Sequence, residues 1–458
     1  MTRSVGPRTT TIVSRDGLGN PLVIDTTTNG HTVLIETQRW SGDNLLASHE
    51  VIRANFLDAR SYRYAQGSRR LMEERLDLSS TVPWTNNFTY DAGVSAGLGV
   101  LTAVDAPANL GAVWTGTVDG LSRVNQETHD IVRRSARGTV NGPSTIGASL
   151  DGHPMPLTMV GTQSNWQASM ELAPGSHQLI VSALHPSGQY TAWATNNFNL
   201  HASALDTVLL TYDGAGQITQ RLWKDSSNQT VRTQNLTWDG RGRLLRVVER
   251  DSGQNGFNWF ALCDGQGRRI RTTTVTVTNG VALADNVLRI DQIFDPEVEF
   301  LELGVTIGGL TTWKLHGPDL NGTYGGLNGL GGFDAVVPGP ELFCPTISDT
   351  RGNLQGVFDY VHGGIAWFGS RPSGYGATPG SRPVPLGQGA AVDEASAWRS
   401  RWADPTGLYW LGARYYDPST LLIRCKAGAF RLLSWKTPFG MGRLQQEMLL
   451  AGQFILTL

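Results

Sequence analysis

Cysteine is scarce in this chain of 458 residues, and Cys263, Cys344 and Cys425 share no local context. An odd, scattered set supplies neither a disulfide framework nor zinc-ligand spacing. Charge is scarce too: Asp, Glu, Lys and Arg make up 17% of the residues and nearly cancel, at a net −2. The basic residues are spread rather than clustered, which argues against a dedicated nucleic-acid partner. No apolar run approaches the roughly 18–20 residues of a membrane span. The start, Met1-Thr2-Arg3-Ser4-Val5-Gly6-Pro7, is polar and lacks the apolar stretch of a signal peptide. No His-x-x-x-His pair and no Gly-x-Ser-x-Gly elbow occurs. A serine or metal hydrolase is therefore unsupported. No catalytic residue, metal ligand or cofactor site is expected, and the chain reads as a non-enzyme.

Glycine and tryptophan are abundant, at 55 and 14 residues. That composition favours a turn-rich, all-β chain, and the length calls for two to four structural units. Repeats organise it. Tyr212-Asp213-Gly214-Ala215-Gly216 returns as Trp238-Asp239-Gly240-Arg241-Gly242 and as Cys263-Asp264-Gly265-Gln266-Gly267, at spacings of 26 and 25 residues. Weaker copies stand upstream at Tyr64-Ala65-Gln66-Gly67 and Tyr90-Asp91-Ala92-Gly93. Asp16 to Asn20 and Asp349 to Leu354 keep the Asp-x-x-Gly kernel alone. An alternating stretch ends on an aromatic. The Asp accepts from backbone N–H groups just ahead, and the Gly supplies a positive φ. A second alternating stretch then leaves. One hairpin per repeat cannot bury its apolar face alone, so stacked copies must share a core.

The roughly 120 residues between the copies at Tyr90 and Tyr212 lack the kernel. Short alternating stretches from Arg137 to Ala194, broken by Pro, Gly and Asn, predict a β-sandwich inserted over 132–202. It resembles the small Ig-like modules of secreted bacterial proteins. Its Trp166, Tyr190 and Trp193 have the rings to stack on sugars, although tryptophan in a small sandwich more often fills the core.

Asp404-Pro405-Thr406-Gly407-Leu408-Tyr409-Trp410-Leu411-Gly412-Ala413-Arg414-Tyr415-Tyr416-Asp417-Pro418 is the most distinctive stretch of all. With the Tyr-Asp-x-x-Gly repeats, it resembles the RHS/YD-repeat family. The stretch from Trp313 through Gly317-Pro318-Asp319-Leu320-Asn321-Gly322-Thr323 resembles the glycine-rich approach to that family's core. The resemblance implies YD hairpins forming part of a curved shell. Its expected divisions are degenerate hairpins and linker over 1–131, the insert over 132–202, hairpins over 203–311, the core over 312–420 and a divergent tail over 421–458. It also implies a structural or encapsulating role in a cell-surface or secreted protein linked to toxin delivery or intercellular competition. Localisation stays open, because the family is usually exported and no signal peptide is visible. The partners implied are the rest of a shell or its cargo. A cell-surface glycan bound through the insert is an alternative, and a self-cleaving toxin carrier is another.

Self-cleavage in the family needs aspartates downstream of the position matching Pro418, and residues 419–458 contain none. Asp404 and Asp417 are therefore expected to cap turns. The pattern stops after Thr420, where Leu421-Leu422-Ile423-Arg424 replaces the family's Gly-Arg-Phe. That break predicts an out-of-frame or truncated product: a shell fragment with open sheet edges and poor solubility. The glycine-rich run 317–332 lacks the strand-to-helix context of a phosphate cradle. Asp295, Glu297 and Glu299 alternate, and as a strand they would form a solvated acidic row.

Overall fold

The computed structural model is antiparallel and all-β, with no helix among the described residues. These are most of 2–318, Tyr324, the strand segments between 333 and 367, the pairs Val384–Pro385 and Ala391–Val392, and parts of 404–423. The longer stretches left out are 79–83, 91–100, 106–113, 201–205, 325–332, 368–383, 393–403 and 424–458. The kernel copy at Asp91 and Gly93, most of the glycine-rich run and the tail thus lie outside the described residues.

A sheet of 24 strands runs in chain order. Thr2–Val5 pairs with Arg8–Arg15, that strand with Pro21–Thr28, and so on to Gly364–Trp367. Val124–His129 pairs directly with Asp206–Tyr212. The seven strands between them form two separate sheets, of three and four strands. Their shared core is Ala148, Met170, Leu172, Leu179 and Val181.

The 24-stranded sheet curls until its late strands cross its early ones. Ile347 packs on Leu34 and Val51, with Ile365 beside them. Arg8 reaches Asp334 at 3.0 Å, and Arg53 donates to the Gln355 carbonyl at 3.1 Å. The inner face here is partly charged: Glu36 and His49 meet at 2.7 Å with both side chains fully buried. Arg60 lies between Asp58 at 2.7 Å and Glu74 at 2.9 Å. Such pairs add little net stability over apolar packing, but they penalise any register that separates them.

The repeated turn has one geometry. At Asp213, Asp239 and Asp264 the Asp N–H donates to the carbonyl four residues on, at 2.9–3.0 Å. The glycine N–H donates back to the Asp carbonyl, and Gly216, Gly242 and Gly267 have φ between 76° and 89°. Asp239 Oδ1 accepts the N–H groups of Arg241 and Arg243, both at 2.9 Å. Each turn carries a register shift just before the Asp, which is a type I turn closed by a left-handed residue and a bulge.

Where an aromatic precedes the turn, as at Trp238 but not at Cys263, it locks one repeat to the previous one. Trp238 Nε1 donates to the Ile218 carbonyl at 2.7 Å. Tyr64 reaches Leu46 at 3.0 Å and Tyr90 reaches Leu71 at 2.8 Å. Tyr212 makes the same bond across the small sheets, to Val124. The basic residue after the glycine points the other way. Arg243 and Arg268 donate to the carbonyls of the next turns, Asp264 at 3.2 Å and Asp295 at 3.0 Å.

Asp239→Ala is therefore expected to cost about 1–2 kcal/mol, because two backbone donors and a guanidinium lose their acceptor. Burial pulls this carboxyl's pKa up, but the Arg243 backbone N–H and guanidinium pull it further down, to a value below the usual one. A lowered folded pKa gives stability that is present above the unfolded pKa and lost as pH falls through the folded one. The variant's deficit, read from urea midpoints, should shrink in acid below about pH 4.

Candidate functional site: the seat of the core segment

Strands from Asp206–Tyr212 to Arg269–Thr278 alternate, and their inward positions carry Val208, Leu210, Leu236, Leu244, Val247 and Trp259. Leu408, Tyr409, Trp410 and Tyr415 pack into this floor, at 4% exposure or less. Tyr409–Trp410 pairs with Tyr415–Asp417, which pairs with Leu422–Ile423, so the segment is a small sheet laid on the large one. Trp410 stands edge-on to Phe294 at 5.6 Å and to Phe300 at 5.9 Å. Tyr415 stands edge-on to Trp238, the same ring that locks the repeat, at 6.0 Å. Gly412 has φ 76°, and a Cβ there would meet the Phe300 ring at 3.0 Å, so its glycine is required twice over.

Two buried ion pairs fasten the segment. Arg221 Nη2 meets Asp417 Oδ2 at 2.8 Å, and Arg269 Nη1 meets Asp404 Oδ2. The Arg269 guanidinium also lies 4.9 Å from the Trp410 ring and donates to Gln292 at 3.1 Å. Gln292 in turn donates to Glu302, which Lys314 neutralises. Gln234 adds a bond to the Thr406 carbonyl at 3.4 Å.

The turn at Asp404 keeps the repeat's backbone: its N–H donates to the Leu408 carbonyl at 2.9 Å, and its carbonyl accepts from the Gly407 N–H at 2.8 Å. Its carboxylate departs from the repeat. The expected caps at Asp404 and Asp417 are corrected here, because both carboxylates turn inward to arginines. Asp404 Oδ1 is buried and has no hydrogen-bond partner. Burial raises this carboxyl's pKa, Arg269 opposes the rise, and Glu302 adds to it. Burial also pushes the Tyr415 phenol up.

The other sequence-marked residues fall as follows. Tyr212, Asp213, Gly216, Trp238, Asp239, Gly242, Asp264 and Gly267 build the turns under the floor. Tyr416 lies in a described strand. Pro405, Arg414 and Pro418 lie outside the described residues. The acidic row is corrected for Asp295 and Glu297: the strand ends at Phe294, and Asp295 accepts the N–H groups of Glu297 at 2.8 Å and Val298 at 2.9 Å as a turn cap, while Glu299 lies outside the described residues. Sequence reading missed the turns at Asp225 and Asp251, where Asn228 and Gln254 take the left-handed position at φ 59°. It also missed Asp119, which accepts from Leu121 and Arg123 at 2.9 Å. An Asp spaced five before a strand start, without the glycine, was the available signal. Among the described residues no cluster of three or more His, Cys, Asp or Glu could hold a metal ion. No helix there is long and apolar enough to cross a membrane.

No family model matches the chain, and no curated protein matches it. Among solved structures it is similar to the crystal structure of TcdB2-TccC3-TEV, at 15% identity and a TM-score of 0.27. That match covers 91% of this chain and 20% of the other, so the chain spans about a fifth of its length. A likeness this slight decides neither fold nor function, and the all-β assignment rests on the strand ladder itself.

Proposed function

We propose that this chain is a non-enzymatic structural segment of an RHS-type shell, within a cell-surface or secreted protein linked to toxin delivery or intercellular competition. The observation that carries the reading is the seat. The most distinctive segment of the sequence is held against the chain's own curved wall by four buried apolar side chains and two buried ion pairs. Both aspartates of that segment are engaged by arginines. The partners in this reading are the remainder of the shell or its cargo.

Intact mass of the purified full chain tests it. After prolonged incubation one species of 49.6 kDa is expected, with limited proteolysis sparing 404–417. Fragments cut within or beyond that segment, absent from an Asp404→Asn preparation, would sink the reading in favour of a self-cleaving carrier.

A further inference from the structure

We infer that the outer face of the four-stranded sheet within residues 132–200 is a binding site for a neutral polysaccharide, centred on Trp193. This site goes beyond the scaffold reading and stands or falls apart from it.

Trp193 is 70% exposed, on the strand Thr191–Leu200 that forms one edge of that sheet. A large apolar ring left in water is costly, and one placed on a regular strand is held in place by its ladder. Trp193 pairs across to Ser182, and Ser182 to Gly147. Directly opposed residues of antiparallel strands share a face. Gly147 contributes no side chain, and the Ser182 hydroxyl would lie 3.2 Å from a Cβ placed there. The floor beside the indole is therefore low and polar.

The neighbouring rows are neutral and mixed: Leu184, 39% exposed, pairs with Thr191 on one side, and Ile180 stands among hydroxyls on the other. Thr195 pairs with Ile180 and Ile180 with Ser149, while Asn197 pairs with Gln178. The Gln178 amide donates to Asn197 at 3.0 Å, which orients both amides on the surface. These rows carry no Asp, Glu, Lys or Arg. At the end of the sheet Asp151 is engaged by His177 at 2.7 Å.

A pyranose has an apolar C–H face that stacks on an indole, and a rim of hydroxyls that needs neutral donors and acceptors. Neutral hydroxyls and amides, with the aliphatic Leu184 and Ile180 beside one exposed ring, match it. An anionic or cationic ligand would find no counter-charge in these rows. A second copy of the chain adding to the open edge would use backbone groups, and would leave the indole on the face unexplained.

The test is retention of the full chain on insoluble chitin, cellulose and mannan, each used as a column. Retention on at least one is expected. Trp193→Ala should weaken it about tenfold or more, and Trp193→Tyr should recover part of the loss. Trp313→Ala, which removes a 43% exposed ring from the large sheet, should leave retention unchanged. Unchanged melting temperatures show that the variants fold. No retention on any of the three polymers, or equal losses from both alanine variants, overturns the site. So does self-association that disappears with Trp193→Ala while no polymer is retained, which assigns the face to a second copy. None of these outcomes changes the intact mass on which the scaffold reading is tested.

Discussion

Asp404→Ala is expected to destabilise the folded chain by about 3–5 kcal/mol, because it leaves the Arg269 guanidinium buried and unopposed. The Arg269 side chain is 1% exposed, and a guanidinium cannot shed its proton to escape the penalty. Its remaining partners, the Gln292 amide, the Tyr415 hydroxyl and the Trp259 and Trp410 rings, are neutral. The reverse truncation, Arg269→Met, should cost less at low pH. A carboxyl left alone in this site can protonate, and burial already raises its pKa. A raised folded pKa gives a contribution that is fully present below the unfolded value, about 3.9. It is lost as pH rises through the folded value. The Arg269→Met deficit should therefore grow from acid towards neutral pH, while the Asp404→Ala deficit should shrink over the range in which the native carboxyl ionises, because that variant has lost the titrating group. Urea midpoints at several pH values, at constant m, separate the two. The double variant Asp404→Leu with Arg269→Met should recover most of the loss, since well-packed apolar pairs replace buried ion pairs at little cost. Equal pH slopes for the two single variants would show that Asp404 does not titrate as this geometry requires.

The turns were legible because their chemistry is local. Asp239 and Gly242 sit three residues apart, and only an acceptor at the first position with a left-handed residue at the second closes that loop. The all-β class was legible in the glycine and tryptophan content, which these turns then organise. The turns at Asp225 and Asp251 were hidden because asparagine and glutamine occupy the left-handed position without the glycine signature. The seat was hidden for a different reason. Arg269 and Asp404 are 135 residues apart, and Arg221 and Asp417 are 196 apart, so no window of sequence contains either pair. Period-2 alternation also misleads on the inner face. It sends polar residues outward, whereas Glu36, His49, Glu74 and Lys314 are buried because each finds an opposite charge or a hydrogen bond from a neighbouring strand. The double use of Trp238, as a lock between repeats and as a wall for Tyr415, joins the legible part to the hidden one. A residue read only as a repeat marker is also part of the seat.

Trp410→Ala is the second large effect, again about 3–5 kcal/mol, from lost burial and the cavity left behind. The ring is 4% exposed and touches three groups that cannot follow it inward. Phe294 and Phe300 are fixed by the turn that Asp295 caps, and Arg269 is fixed by Asp404. The edge-on aromatic pairs add about 0.5–1.5 kcal/mol each beyond area. The loss should also be uneven. The floor residues Val208, Leu236 and Val247 belong to continuous strands and keep their ladders. The segment on top has a short ladder of its own, so its docking depends on the rings and the ion pairs. Protease should therefore enter 404–417 first in the variant, while the hairpins from Asp206 to Thr278 stay protected. A variant that loses protection evenly would mean that segment and wall fold as one cooperative unit, with Trp410 belonging to the wall's core rather than to a docked piece.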